Sequence, residues 1–138
     1  MRVTEIMTRN VVSVPVDATL VEAAELMRDY DIGFLPVIAS GIVVGVVTDR
    51  DLVVRGIGEG KNPYITQIQY LMSTKPVCCY KDDVLTEAAD ILAKNHVHRL
   101  VVVDDNNKLA GLLSIDDLAA HRSSDRALGD LLRQVSVA

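Results

Sequence analysis

Two short stretches of this 138-residue chain carry the same polar side chains at the same spacing. Residues 45–51 and 111–117 both read glycine, two apolar residues, Thr or Ser, two variable residues and aspartate. An apolar run precedes each glycine and a leucine follows each aspartate, which predicts a strand that ends where a helix begins. Such a junction gathers backbone N–H groups, a hydroxyl and a carboxylate at one edge, an arrangement suited to a phosphorylated sugar.

The two stretches belong to a longer internal repeat. An offset of 65 residues aligns Met7 with Met72 and Asp17 with Asp82, and one extra residue in the turn 104–107 then makes the offset 66. A pattern that recurs at matched positions of a repeat is far more specific than one that occurs once. The chain is therefore a tandem duplication.

Each repeat is predicted to fold as strand, helix, strand, strand, helix, so the fold class is α/β (α+β) with two tandem β-α-β-β-α motifs. In the first repeat we expect a strand over residues 11–14 that ends at Pro15, and a helix from Thr19 to about Tyr30 that opens on a capping box. Two strands over 35–38 and 42–47 follow, joined by a turn at residues 40–41.

A second helix from Asp51 should stop at Gly56 and Gly58. In the second repeat we expect strands over 76–80, 100–103 and 109–113, with helices over 85–95 and from residue 116. The motifs are assigned to residues 1–58 and 68–122, with a linker over 59–67. Residues 123–138 form a C-terminal extension with a predicted short helix carrying Leu128, Leu131 and Leu132.

Composition excludes several classes of protein. Hydrophobic residues make up 49% of the chain and charged residues 24%, which is typical of a globular domain and not of a disordered one. A net charge of −5 argues against a broad basic face for nucleic acid. No apolar run approaches the roughly 18 residues of a membrane span, and the N-terminus has no apolar signal core. We therefore expect a cytoplasmic protein.

The duplicated motif, closing each time on Gly-x-x-Thr/Ser-x-x-Asp, resembles the cystathionine β-synthase (CBS) domain pair over about residues 3–120. Residues 97–104 are similar to a repeat in the γ subunit of AMP-activated protein kinase. Residues 33–37 and 48–52 are similar to stand-alone bacterial and archaeal CBS pairs. The resemblance implies two repeats packed about a pseudo-two-fold axis, two clefts that bind adenine nucleotides, and a homodimer.

The resemblance transfers a nucleotide-binding role onto eight positions: Ser13, Thr48, Asp51, Cys78, His98, Arg99, Ser114 and Asp117. The two aspartates would accept hydrogen bonds from ribose hydroxyls, and the Thr and Ser hydroxyls would contact phosphate. His98 and Arg99 match the family's basic phosphate-contacting pair. Ser13 and Cys78 stand where the family has a hydroxyl residue beside adenine, each in the cleft of the other repeat's aspartate.

Local structure offers a competing explanation for several of these residues. The Thr, Ser and Asp side chains of the two turns also fit as helix caps, a common role for these residue types. The first repeat has Gly33 and Phe34 where the second has His98 and Arg99, so the basic residues are not duplicated. We therefore expect two unequal clefts.

No catalytic constellation is present in the sequence, and we predict that the protein is not an enzyme. Asp116 and Asp117 are consecutive in a predicted helix, so their carboxylates point in different directions. The histidines and the adjacent Cys78 and Cys79 match no zinc signature, and strand thiols are expected to be buried and inert. We predict no metal and no required cofactor.

The sequence thus predicts a regulatory or sensor module that binds an adenosine-containing ligand, with AMP, ADP or ATP ahead of NAD and S-adenosylmethionine. A protein target that the sequence does not identify is also expected. The alternatives are a protein-interaction module with empty clefts, a nucleic-acid-binding CBS pair, and a metal- or redox-sensing module that depends on Cys78 and Cys79.

Overall fold

The computed structural model describes residues 1–121, 129–130 and 133–134. The chain forms two compact units, each with a three-stranded sheet. We call Val12–Pro76 the first unit, and Met1–Val11 together with the chain from residue 77 onward the second unit. The predicted α+β class and the β-α-β-β-α order are confirmed in both repeats.

The first unit consists of β1 (Val14–Pro15), α1 (Leu20–Tyr30), β2 (Phe34–Ala39), β3 (Ile42–Thr48) and α2 (Asp49–Asp51). α2 continues into a π-helical stretch, Leu52–Gly56, and 3₁₀ turns follow at Ile57–Glu59 and Ile68–Tyr70. The strand order is β1-β2-β3, with β1 parallel to β2 and β2 antiparallel to β3.

The second unit repeats this order. It consists of a 3₁₀ turn at Val3–Glu5, then β4 (Cys78–Tyr80), α3 (Leu85–Asn95), β5 (Arg99–Val103), β6 (Leu109–Ser114) and α4 (Ile115–Ala120). The strand order is β4-β5-β6, with the same parallel and antiparallel pairings. α1 and α3 begin and end at equivalent residues, as the repeat predicts.

The units do not coincide with the sequence repeats. The start of the first repeat supplies Val3 and Met7 to the core of the second unit, and the start of the second repeat supplies Ile68 and Leu71 to the core of the first. Each unit therefore combines the β-α-β-β-α motif of one repeat with the leading segment of the other. The predicted boundaries 1–58, 59–67 and 68–122 follow the sequence repeat and stay predictions.

Gly45 and Gly111 are explained by this exchange of segments. Residue 73 pairs with Val46 beside β3, and residue 8 pairs with Leu112 beside β6, each through an isolated antiparallel bridge. A Cβ on Gly45 would lie 2.5 Å from the backbone oxygen of Ser73, and one on Gly111 would lie 2.6 Å from that of Thr8. The glycines thus allow a neighbouring segment to approach closely.

Two predicted boundaries in the first repeat were wrong. The first strand covers Val14–Pro15 and not residues 11–14; it is the edge strand of its sheet, where proline's missing N–H removes no bond within the sheet. The second helix begins at Asp49 and not at Asp51, whereas its π-helical continuation ends at Gly56, where a stop was predicted. Gly56 is buried, and a Cβ there would lie 2.4 Å from Leu20 Cδ1. The chain then turns at Gly60, whose φ is +74°.

The predicted short helix carrying Leu128, Leu131 and Leu132 falls outside the described residues. Across the described part of the chain, no helix is long and apolar enough to cross a membrane. The cytoplasmic location stays a prediction.

Candidate functional site

The two polar stretches form two equivalent helix caps. In the first unit, the backbone N–H of Asp51 donates to the Thr48 hydroxyl at 3.2 Å, and the N–H of Thr48 donates to Asp51 Oδ2 at 2.9 Å. In the second unit, the N–H of Asp117 donates to the Ser114 hydroxyl at 3.1 Å, and the N–H of Ser114 donates to Asp117 Oδ2 at 2.9 Å. These are reciprocal capping boxes with aspartate in the third helical position.

After capping, the carboxylates of Asp51 and Asp117 can still accept further hydrogen bonds. A carboxylate has two oxygens with about four acceptor positions, and the cap occupies only one position on Oδ2. Asp51 Oδ1 lies 3.7 Å from Arg55 Nε, a loose ion pair in which the Asp51 side chain is 19% exposed. Asp117 Oδ1 has no partner among the residues that the structure describes. Both aspartates can therefore hold a helix start and still accept a hydrogen bond from another molecule.

Arg99 lies beside the Ser114 cap. It opens β5 and is the antiparallel partner of Ser114 on β6, while the backbone oxygen of His98 accepts the first N–H of α4, from Ile115, at 2.9 Å. Both basic side chains are exposed, and neither makes a hydrogen bond or ion pair with a described residue. In the first unit the corresponding residues are Gly33 and Phe34, with Phe34 opposite Thr48, so the predicted difference between the repeats is present at the turns.

Ser13 and Cys78 occupy less regular positions. Ser13 precedes β1 and is half-buried, while Cys78 is the first residue of β4 and pairs with Val101. Burial raises the pKa of the Cys78 thiol. Burial, followed by the nearby Asp83 and Cys78, raises the pKa of Cys79 to about 12. Both thiols are therefore protonated at neutral pH, which disfavours nucleophilic or redox chemistry.

The structure places the eight predicted residues in two groups. Ser13, Thr48 and Asp51 lie in the first unit, and Cys78, His98, Arg99, Ser114 and Asp117 lie in the second. In the second unit it brings Arg99, Ser114 and Asp117 together at one turn. The proposed sharing of clefts between Ser13 and Asp117, and between Cys78 and Asp51, stays a prediction.

Sequence reasoning missed Arg55 and Asp49. Arg55 pairs with Asp51 at a spacing of four residues, which is a recognisable helical ion-pair signal. Asp49 follows the Thr48 cap and covers Gly33, since a Cβ on that glycine would lie 2.5 Å from Asp49 Oδ2. The sequence carries no signal for that second contact.

A separate groove of about 290 Å³ lies between β1 and α1 in the first unit. Its apolar lining comes from Val14, Pro15, Ala18 and Leu26, and its acidic rim consists of Glu22, Glu25 and Asp29. None of the eight predicted residues lines it. An acidic rim repels phosphate, so the groove does not substitute for the turns as a nucleotide site. Among the described residues, no three His, Cys, Asp or Glu side chains are grouped to hold a metal ion.

Comparison with known proteins agrees with the architecture. A model of the CBS domain matches residues 3–57 and 65–124. The CBS domain-containing protein YhcV of Bacillus subtilis is 34% identical over 134 residues, covering 97% of this chain and 94% of that protein.

Two solved structures extend the comparison. A CBS domain protein from Pyrobaculum aerophilum, solved in complex with AMP, is 26% identical with a TM-score of 0.76 and full coverage of both chains. Hypoxic Response Protein I, solved with two coordinated zinc ions, is 28% identical with a TM-score of 0.80 and covers 88% of this chain and 98% of its own. With both repeats matched by the family model, the chain belongs to the CBS domain family as a tandem pair of CBS domains.

Proposed function

We propose that this protein is a regulatory module that binds an adenosine-containing ligand, with AMP, ADP or ATP as the preferred class. Asp51 and Asp117 accept hydrogen bonds from ribose hydroxyls. The hydroxyls of Thr48 and Ser114 contact phosphate, and Arg99 adds a charged donor in the second unit.

The observation that carries this proposal is the arrangement of Ser114, Asp117 and Arg99 at one turn. Asp117 keeps an acceptor oxygen with no partner among the described residues, as a ribose hydroxyl requires. Arg99 is the strand partner of Ser114 and carries a planar guanidinium that no described residue neutralises. A carboxylate and a guanidinium side by side match the two polar ends of a nucleoside phosphate.

The relatives support the same class of ligand. The Pyrobaculum aerophilum protein that aligns over the full length of this chain was solved with AMP.

A regulatory role fits the side chains better than a catalytic one. Cys78 and Cys79 have raised thiol pKa values, so both are protonated at neutral pH. The polar side chains at the two turns form helix caps. Regulation requires that the ligand bind two states of the protein with different affinities. The partner that reads out this difference is an unidentified protein target.

Self-association through the first unit is part of the proposal. Val53, Ile57, Tyr64 and Ile65 are 61%, 53%, 74% and 74% exposed, and they lie within 13 residues of one another in the chain. Apolar side chains exposed in one short segment are typical of a contact surface. We expect a homodimer in light scattering, and we expect Ile57→Lys to produce a monomer that keeps its ligand affinity.

A thermal-shift screen with AMP, ADP, ATP, NAD and S-adenosylmethionine tests the ligand. A ligand at about 100 times its Kd adds about 2.7 kcal/mol to the free energy of unfolding, which raises Tm by several degrees. The informative variants are Asp51→Asn and Asp117→Asn. Asparagine keeps one acceptor oxygen for the cap N–H and replaces the other carboxylate oxygen by an NH₂ donor, so the helix start is kept and the charged acceptor for the ribose hydroxyl is removed.

A Tm increase in the wild type that is lost in the variant carrying both substitutions supports adenosine binding at the turns. No increase with any of the five ligands, from folded protein free of bound nucleotide, would refute the proposal and favour an interaction module with empty clefts. An increase that survives both substitutions would place the ligand elsewhere.

A further inference from the structure

A groove beside α1 has no part in the proposed adenosine site. It lies between β1 and α1 of the first unit, has a volume of about 290 Å³ and has an apolar floor of Val14, Pro15, Ala18 and Leu26. Pro15 is exposed and Leu26 is half-buried, so another molecule can still cover apolar surface there. Pockets for small-molecule ligands usually measure about 300–1,000 Å³. This feature, the α1 groove, is therefore better matched to one or two side chains of a protein than to a whole cofactor.

The rim of the α1 groove is acidic. Glu22, Glu25 and Asp29 are exposed and lie along one side of α1 at spacings of three and four residues. Arg28 Nε lies 2.8 Å from Asp29 Oδ1, and its charge also acts on Glu25. Glu22 accepts a hydrogen bond from the Thr19 hydroxyl at 3.2 Å, which neutralises no charge. The guanidinium compensates one of the three carboxylates, so the rim keeps a negative potential.

The equivalent positions of the second unit do not repeat this combination. At the offset of 65 residues, Asp29 corresponds to Lys94, whose Nζ pairs with Asp90 Oδ2 at 2.9 Å. Ala18 of the apolar floor corresponds to Asp83, a charged residue. The combination of an apolar floor and an acidic rim therefore belongs to the first unit and is not a consequence of the repeated fold.

The charge of the rim indicates the class of partner. Phosphates and nucleic acids carry the same sign of charge as the rim and are repelled by it. A second copy of this chain has a net charge of −5 and gains no overall attraction either. A partner with Lys or Arg beside an apolar side chain fits both parts of the groove, because the methylene stems of Lys and Arg also cover apolar surface. Complementary charges in addition steer such a partner toward the site.

The spacing of the rim indicates the shape of the partner. Glu22 and Asp29 are seven residues apart in α1, which is about 10 Å at a rise of about 1.5 Å per residue. Basic side chains two turns apart on another helix have the same separation, and apolar side chains three or four residues after the first lie between them. An amphipathic helix that lays its apolar face in a groove is a common mode of recognition.

We propose that the α1 groove docks a basic amphipathic helix of a partner protein. An apolar side chain of that helix covers Pro15 and Leu26, and its Lys or Arg side chains contact Glu22, Glu25 and Asp29. This inference goes beyond the proposed function, because it requires no ligand at the two turns. It adds the chemistry of the protein target that a regulatory module contacts.

Fluorescence anisotropy with a labelled peptide tests the proposal. The probe is a helical peptide of about 15 residues, built on alanine and glutamine, with two Lys seven positions apart and two Leu three and four positions after the first Lys. The full chain should bind this Lys peptide. A peptide with Glu in place of both Lys, or with Ser in place of both Leu, should bind at least about fivefold more weakly.

A variant without the rim charges provides the second test. Glu22→Gln, Glu25→Gln and Asp29→Asn together, called the rim variant, change exposed side chains to neutral ones of the same shape. The rim variant should bind the Lys peptide at least about fivefold more weakly, because surface ion pairs are lost. Glu87→Gln with Asp90→Asn, at the equivalent positions of α3, is the matched control and should bind the peptide as the wild type does. Both variants should keep the wild-type circular dichroism spectrum.

Four results would overturn the proposal. They are no binding of the Lys peptide to wild-type protein at millimolar concentration, equal binding of the Lys and Glu peptides, equal affinity of the wild type and the rim variant, and an equal loss in the α3 control. A rim variant that changes from a dimer to a monomer in light scattering would also overturn it, because a second copy would then cover the groove. None of these outcomes bears on adenosine binding, which the thermal-shift screen tests separately.

Discussion

Replacement of Gly45 by alanine should destabilise the first unit through a backbone clash. The new Cβ would lie 2.5 Å from the Ser73 oxygen and 2.8 Å from Met72 Sδ, and Cβ atoms essentially never approach another heavy atom within 3.0 Å. Methionine can move aside, because its side chain is flexible. The Ser73 oxygen cannot, because it accepts from the N–H of Val46 at 3.1 Å while the N–H of Ser73 donates to the Val46 oxygen at 2.9 Å.

The size of the effect follows from these contacts. Overpacking costs about 1–3 kcal/mol, and each of the two strained hydrogen bonds contributes about 1 kcal/mol. Alanine restricts the unfolded chain more than glycine does, which offsets about 0.4–1 kcal/mol of this destabilisation. We expect a net loss of about 2–4.6 kcal/mol. With an unfolding entropy of about 2.1 cal/mol/K per residue for 138 residues, Tm should fall by about 7–16 °C.

Urea unfolding followed by circular dichroism measures this loss directly. Gly41→Ala is the control, since Gly41 has a φ of +78° with no atom within 4 Å of an added Cβ; it should cost only the left-handed strain of about 1–2 kcal/mol. Combining Gly45→Ala with Met72→Ala should not restore stability, because the clashing backbone oxygen remains. A Gly45→Ala variant within 0.5 kcal/mol of the wild type by urea unfolding (about the scatter expected of a neutral surface substitution) would refute the close-approach argument.

Three further perturbations test other parts of the structure. Thr48→Ala and Ser114→Ala should each lower the free energy of unfolding, measured by urea titration, by about 1 kcal/mol, because a helix cap is lost. Thr48→Ser keeps the capping hydroxyl and should therefore retain most of the wild-type stability. Leu92→Ala should lower the free energy of unfolding by about 2–5 kcal/mol, because Leu92 is fully buried in the core of the second unit. Lys94 is exposed in the same helix, and Lys94→Ala should lower it by less than about 1 kcal/mol. Burial raises the pKa of Cys79 from 9.0 to about 12. The unfolded thiol ionises first, so the contribution of Cys79 to stability is present below pH 9 and is lost as the pH rises to about 12. Cys79→Ala should therefore show a flatter dependence of unfolding free energy on pH across that interval, and an unchanged slope would contradict the raised pKa.

Local signals in the sequence were sufficient for most elements. α1 begins after Thr19, whose side chain accepts from the N–H of Glu22 at 3.2 Å, and it ends at Tyr30. The hairpin turns at Ser40 and Gly41, both with positive φ. These features depend on residues within four positions of one another, so sequence patterns report them well.

The helix after Asp51 was predicted less well, because its course depends on distant contacts. Gly56 ends the π-helical stretch that continues this helix, and it also marks a close approach to Leu20. A glycine selected for space and a glycine selected for positive φ are indistinguishable in a single sequence. Only the position of Leu20 in the folded unit separates the two explanations.

The sequence by itself determined the duplication, the order of the elements, the family and the capping pattern Thr/Ser-x-x-Asp, because all of these are written in short spacings that recur. The tertiary structure decided which segments pack together: the leading segment of each repeat joins the unit of the other. It also decided that Arg99 stands beside Ser114. The placement of Arg99 depends on strand pairing between residues 15 positions apart, which is fixed by the register of the sheet and not by the local sequence.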